Sequence, residues 1–242
     1  MAFAGRAVGV INAYLQKYLP GLTAAEREKL CAVARLLAEK NKVMNLTAIT
    51  DEKGIALLHI YDSLSLLQTG LFAPGRKIID IGCGGGFPSL PLAVCLPECE
   101  ITANDSTAKK LDFVRGVAQS TGLLNLKTLC GRAEELAHAT ELRGAFDIAV
   151  SRGVARLNVL CEWCLPFVKT GGCFVAMKGE KGKEEAAEAQ NAIAALGGGT
   201  VNIINITIPE YEYRHTLCVI KKLRETPQEY PRANGKIRKN PL

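Results

Sequence analysis

Between residues 77 and 177, short apolar runs alternate with longer amphipathic stretches. This alternation predicts a parallel sheet with helices on both faces. Strands are expected near 77–81, 100–104, 125–130, 146–150 and 172–177. A polar helix near 181–195 and the glycines at 197–199 then lead into VNIINITI and TLCVIKKL. The short connector PEYEYRH between these runs predicts an antiparallel pair that closes the sheet. Before residue 72 the period is helical. The stretch MAFAGRAVGVINAYLQKYL reads as an amphipathic helix, without the basic start and cleavage site of a secretory signal. Thr23 and Glu26 form a capping box ahead of Leu30, Val33 and Leu37, which share one face. A further helix is expected from Glu52 to Gln68, and Phe72-Ala-Pro-Gly75 breaks the chain. The organisation expected is a helical appendage over 1–72, an α/β domain over 73–223 and a C-terminal tail over 224–242.

The most informative junction is KIIDIGCGGGFP at 77–88. Ile78, Ile79 and Ile81 read as a buried strand, and the glycines after it let the backbone turn sharply and approach a ligand closely. A dinucleotide turn needs G-x-G-x-x-G, but Phe87 stands where its third glycine belongs, so the spacing argues against a bound pyrophosphate. Asp80, Gly82, Gly84 and Gly86 instead give D-x-G-x-G-x-G, which resembles motif I of the S-adenosylmethionine-dependent methyltransferases. Cys83 within the loop reads as a small residue tolerated in a tight turn more economically than as a nucleophile.

Ligands of open parallel sheets bind beyond the carboxyl ends of the strands. That rule nominates four sequence-distant segments. Beside the glycine loop stands Asp105, 23 residues after Gly82, where a carboxylate can accept from both ribose hydroxyls; its alternative role is to cap the helix that follows, a role open also to Ser106. Ala133 and Glu134 follow the third strand, where the Ala133 backbone can bond an adenine edge while Glu134 accepts from it or caps the next helix. Ser151 and Arg152 follow the fourth strand, where methyltransferases place groups near the reacting methyl. In the NLT loop, Asn45 can contact a substrate or cap a turn.

Composition changes this picture in two places. With 48% hydrophobic and 22% charged residues, the chain has the balance of an ordinary globular protein, and no apolar run is long enough to span a membrane, so a cytoplasmic protein is expected. Nine cysteines without repeated pairing predict free thiols in a reducing compartment, and no metal site is expected. The net charge of +6 is concentrated: residues 221–242 carry seven Lys or Arg against two Glu. Such a segment supplies phosphate-neutralising contacts to nucleic acid or is simply solvated.

Several blocks, taken in order, resemble the bacterial small-subunit ribosomal RNA guanine-N7 methyltransferase family known as RsmG or glucose-inhibited division protein B. They are NKVMNLTAIT, HIYDSLSLL, DIGCGGGFPSLPLA, Asp105-Ser106, GRAEEL, SRGVARLNVLCEWCLP, the MKG at 177–179 and TPQEYPRANGKIRKNPL. One departure is Ile237, where the family's tail usually has proline. The resemblance implies a Rossmann-like seven-stranded methyltransferase sheet with an N-terminal helical appendage, S-adenosyl-L-methionine as cofactor and small-subunit rRNA as partner. It also implies cofactor contacts at Gly82, Phe87, Ala133, Glu134 and Arg152. Motif I adds Gly84 and Gly86, and the ribose reading adds Asp105; Asn45 and Ser151 are candidates for the substrate side. No residue is assigned as a catalytic base, because guanine N7 loses no proton on methylation. His59 is read as structural, bonded to the chain near Asp62, and a monomer is expected. A methyltransferase for a small molecule would share residues 77–180 without needing the basic tail, and a non-enzymatic RNA-binding module would not need the glycine loop.

Overall fold

The computed structural model describes residues 2–212 and 214–242, with side chains from residue 9 onward; Tyr213, in the PEYEYRH connector, lies outside the described residues. Two long helices open the chain, α1 (Ala2–Tyr18) and α2 (Ala24–Met44). The expected capping box is formed: the Thr23 hydroxyl accepts from the Glu26 amide, and the Glu26 carboxylate accepts from the Thr23 amide. The helix expected over 52–68 is a composite. It begins as α3 (Glu52–Gly54), widens into a π-helical stretch (Ile55–Tyr61), returns as α4 (Asp62–Leu64) and tightens into a 3-10 turn (Ser65–Thr69). Most of this run is buried, so tertiary packing rather than local propensity accompanies its winding, and a π stretch is a frequent companion of a functional site.

All seven expected strands are present: β1 (Lys77–Ile81), β2 (Glu100–Asp105), β3 (Leu126–Cys130), β4 (Phe146–Arg152), β5 (Val168–Lys178), β6 (Gly198–Thr207) and β7 (Arg214–Lys222). Their order is β3-β2-β1-β4-β5-β7-β6, with β7 antiparallel to both neighbours. β5 starts earlier than expected because Val168 pairs with Phe146 ahead of an irregularity in β4. At that irregularity Asp147 accepts from Arg76 Nη1 at 2.8 Å and from the Lys77 amide at 2.9 Å, and it pairs with Lys169. The helices between strands are α5 (Ser89–Cys95), α6 (Ala108–Ser120), α7 (Ala133–Leu136), α8 (Leu157–Cys164), α9 (Gly182–Glu188) and α10 (Gln190–Ala195).

Side chains alternate across the sheet, and two cores result. Ile78, Ile101, Ile148 and Val175 face a cluster that also contains Ile11, Leu30, Leu37 and Ile60. The helices over 1–72 therefore share a core with the sheet. Ile79, Ile81, Ala149 and Phe174 face the other cluster, with α8 and α10.

The C-terminal segment folds onto this second core and ends in α11 (Asn234–Lys239), against α8. Ile237 is fully buried there, and Tyr230 and Leu242 pack alongside. Its basic residues are not uniformly solvated. Arg232 makes two side-chain bonds, at 2.8 and 2.7 Å, to the buried carboxylate of Glu162, which also accepts from the Arg232 amide. The ammonium of Lys222 is buried against Leu165 and Thr226, and burial pushes its pKa down to about 7.

Removal of Arg232 would strand the buried Glu162 carboxylate. Arg232→Ala is expected to destabilise the protein by about 3 to 5 kcal/mol, the cost of a buried charge left unpaired. Urea denaturation measures this; a loss within experimental scatter would show that water replaces the guanidinium.

Candidate functional site

At the carboxyl ends of β1 to β4 lies a cleft of about 460 Å³. The glycine loop forms its floor. The amides of Gly82 and Cys83 both donate to the Asn104 carbonyl, at 2.9 and 2.8 Å, which ties the loop to β2. Gly82, Gly84 and Gly86 all have positive φ, which side chains rarely adopt, so the motif spacing is a backbone requirement. The three face different surroundings. A Cβ on Gly84 meets nothing within 4 Å and projects into open space, whereas one on Gly86 stands 2.5 Å from Leu90 Cδ1 and 3.1 Å from Val114 Cγ2. Gly84 thus lines the cleft, and Gly86, expected to do the same, is buried beneath it and leaves room for α5 and α6 to pack.

The other expected rim segments converge on this floor. Gly82, Phe87, Asp105, Ala133, Glu134 and Arg152 line the cleft together. Asp105 is engaged on both oxygens: Oδ1 accepts from the Thr107 amide at 2.8 Å, Oδ2 from the Gly84 amide at 3.1 Å, and Lys110 Nζ lies 3.7 Å from Oδ2. It therefore steers the chain into α6 and pins the glycine loop while facing the cleft. Glu134 is also buried, and its Oε1 has no hydrogen bond; Arg132 Nη1 stands 3.9 Å away. A bare, buried carboxylate oxygen on a cleft wall calls for a donor from whatever fills the cleft. Asp80, below the loop, accepts from the amide and hydroxyl of Ser89, and burial raises its pKa to about 6.

Besides Gly86, two candidates do not reach the cleft. Ser151 is fully buried, its hydroxyl donating to the Ile81 carbonyl at 2.8 Å, so it joins β4 to β1 behind the rim. Asn45 is the left-handed C-cap of α2 (φ 48°) and exposed, the turn-capping arrangement. Cys83 is buried, and desolvation pushes its thiol pKa up, which removes it as a nucleophile.

Several side chains of the cleft were not singled out from the sequence, among them Thr47, Trp163, Asn234 and Arg238. The last two come from α11, so the tail forms part of the cleft wall; the Arg238 guanidinium lies 5.4 Å from the centre of the Trp163 ring. His59, read as structural, also lines the cleft. Its ring stacks on Phe87 with centroids 4.8 Å apart, and the other side of this group is Arg152, 5.7 Å from the Phe87 ring. Arg152 Nη1 donates to the Leu58 carbonyl and to Asp62 Oδ2, both at 3.0 Å, and Nη2 contacts His59 Nδ1 at 3.2 Å. Asp62 Oδ1 lies 2.8 Å from His215 Nδ1. Burial, reinforced by the Arg152 charge, pushes the His59 pKa down to about 3, so its ring is neutral.

The model of a family described as rRNA small subunit methyltransferase G matches residues 26–214. The chain belongs to this family. It is 42% identical over 221 residues to the ribosomal RNA small subunit methyltransferase G of Alkaliphilus oremlandii, covering 91% of this chain and 92% of that one. To the protein of the same name from Alkaliphilus metalliredigens it is 43% identical over 215 residues, covering 89% and 90%. Among solved structures, TYW2 from M. jannaschii in complex with AdoMet shares the fold at a TM-score of 0.51 and 14% identity, over 67% of this chain and 77% of that one. The protein is thus an S-adenosylmethionine-dependent rRNA methyltransferase, built on the seven-stranded sheet of that class. Among the described residues, no helix is long and apolar enough to cross a membrane.

The two glycines separate cleft from scaffold. Gly84→Val is expected to abolish binding of S-adenosylhomocysteine, with a stability cost of about 1 to 2 kcal/mol from the left-handed backbone. Gly86→Val adds to that strain an overpacking penalty of about 1 to 3 kcal/mol against Leu90 and Val114. Isothermal titration and thermal unfolding on both variants test this; equal melting temperatures would show that the two positions are alike.

Proposed function

We propose that the protein methylates N7 of a guanine in small-subunit (16S) ribosomal RNA, acting as a cytoplasmic monomer, and that it does so by positioning alone. Family membership supports the small-subunit rRNA as target. The observation that carries the mechanism is the cleft itself: a glycine floor open at Gly84, a Glu134 Oε1 without a hydrogen bond at one wall, and a Phe87-His59-Arg152 group with no base poised in it.

The residues fit S-adenosylmethionine. Glu134 Oε1 would accept a hydrogen bond from the adenine amino group, and the Ala133 amide would bond the same ring edge. Asp105 would accept from the ribose hydroxyls with the lone pairs left after Gly84 and Thr107, and Gly82 and Gly84 would hold the amino-acid end. When bound, the cofactor supplies a methyl group already activated by its sulfonium charge. Phe87 and Arg152 wall the space that the target base enters, unstacked from its neighbours.

Guanine N7 carries an in-plane lone pair and no proton. The chain therefore has to hold N7 in line, and orientation of this kind accounts for roughly 7 to 11 kcal/mol of a barrier. His59 matches this requirement: it is neutral, and both ring nitrogens are committed to neighbouring side chains. On the outer surface, Lys236 and Lys239 of α11 remain exposed beside the cleft to meet phosphates.

The test is transfer of labelled methyl to small-subunit rRNA, followed by mass analysis of nuclease fragments to locate the methyl. The expected product is 7-methylguanine, formed with a single-turnover rate that is flat between about pH 7 and 9, because no general base titrates there. A bell-shaped profile, or a methyl on any atom other than N7, would overturn the reading.

A further inference from the structure

Thr47 sits in the cleft with its backbone clamped. Its amide donates to Asn41 Oδ1, and its carbonyl accepts from Asn41 Nδ2, both at 2.9 Å. The hydroxyl is therefore fixed in place, and the protons around it can be assigned from donor and acceptor inventories. A guanidinium has no acceptor, so Arg152 Nη2 donates to His59 Nδ1. The one proton of the neutral ring is then on Nε2, which lies 2.8 Å from Thr47 Oγ1 and donates to it. The Ile49 amide donates to the same oxygen at 3.0 Å. Both lone pairs of Oγ1 are thereby filled, and its own proton is the only hydrogen-bonding capacity that remains. Thr47 is half-buried and lines the cleft with Phe87, His59 and Arg152.

From this arrangement we infer that Thr47 is a specificity-determining residue whose hydroxyl donates to the exocyclic oxygen of the target base and so selects guanine over adenine. The inference rests on the N7 reading above. Beside N7, guanine presents the acceptor O6, whereas adenine presents the donor N6 amino group. An obligate donor pairs with the first and opposes the second, and it leaves the N7 lone pair unoccupied for attack. Arg152 reaches the base only indirectly here: by fixing the His59 tautomer it determines which way the Thr47 proton must point.

The test uses the full chain and a small-subunit rRNA transcript in which the target guanine is replaced by 2-aminopurine, a base that keeps N7 and lacks O6. For the unaltered protein, kcat/KM is expected to fall about tenfold on this substitution, the effect of one hydrogen bond with its partner left unpaired. Thr47→Val should lose a similar factor on the guanine transcript and nothing further on 2-aminopurine, and Thr47→Ser should restore the guanine preference. S-adenosylhomocysteine affinity, measured in parallel, should be unchanged in both variants. Independent, multiplying losses from Thr47→Val and 2-aminopurine, or an unaltered protein that accepts the two transcripts equally, would overturn the assignment. The last measurement needs no variant, so misfolding of Thr47→Val does not rescue it. Locating the methyl on the guanine product separates the two failures: a methyl at N7 with multiplying losses refutes the Thr47 role alone, and a methyl elsewhere refutes the N7 reading on which it rests.

Discussion

The Asp62 carboxylate, almost wholly removed from water, joins three parts of the chain that are far apart in sequence. Arg152 reaches it from the end of β4 and His215 from the start of β7, while Asp62 itself follows the π-helical stretch of the N-terminal region. A buried ion pair contributes little net stability compared with apolar packing, because both charges must be stripped of water. What it fixes is geometry. The same guanidinium that pairs with Asp62 touches His59, faces the Phe87 ring and caps the Leu58 carbonyl, so the wall of the cleft and the helices over 1–72 are set by one cation.

This dependence accompanies a shared core between the first 72 residues and the sheet. Their apolar faces complete the core on one side of the sheet, and their polar residues Thr47, His59 and Asp62 complete the cleft. One cleft is thus lined both by the helical region and by the loops at the carboxyl ends of the strands. Motion of α2 relative to the sheet would change the width of the cleft at Leu37 and Leu46, which line it and lie near Gly85.

The parts of the molecule that follow from local rules were legible in the sequence. Seven strands came from apolar runs, the Thr23–Glu26 box from its residue types, and the convergence of four loops from the strand order of open sheets. What was not legible depends on direction in space. Gly84 and Gly86 look equivalent in a spacing pattern, but their Cβ vectors point to opposite sides of the loop. Ser151 and Arg152 are adjacent, and strand alternation sends the hydroxyl back to Ile81 and the guanidinium to the cleft. The charge of the tail was visible as a sum, but a sum does not show that Arg232 has a buried partner in Glu162 or that Ile237 is a core residue. The π winding of Ile55–Tyr61 has no compositional marker; it follows from enclosure on all sides.

The placement of α11 on the cleft wall carries a temporal consequence. A polypeptide is made from its amino end, and Asn234 and Arg238 follow every strand of the sheet in the chain. The sheet can assemble as soon as β7 has emerged, but the wall beside Trp163 is finished only when the segment after it has folded back onto α8. The capacity to hold a ligand in the complete cleft is therefore acquired later than the sheet itself. A chain made only as far as β7 carries the sheet of this enzyme without its full binding surface.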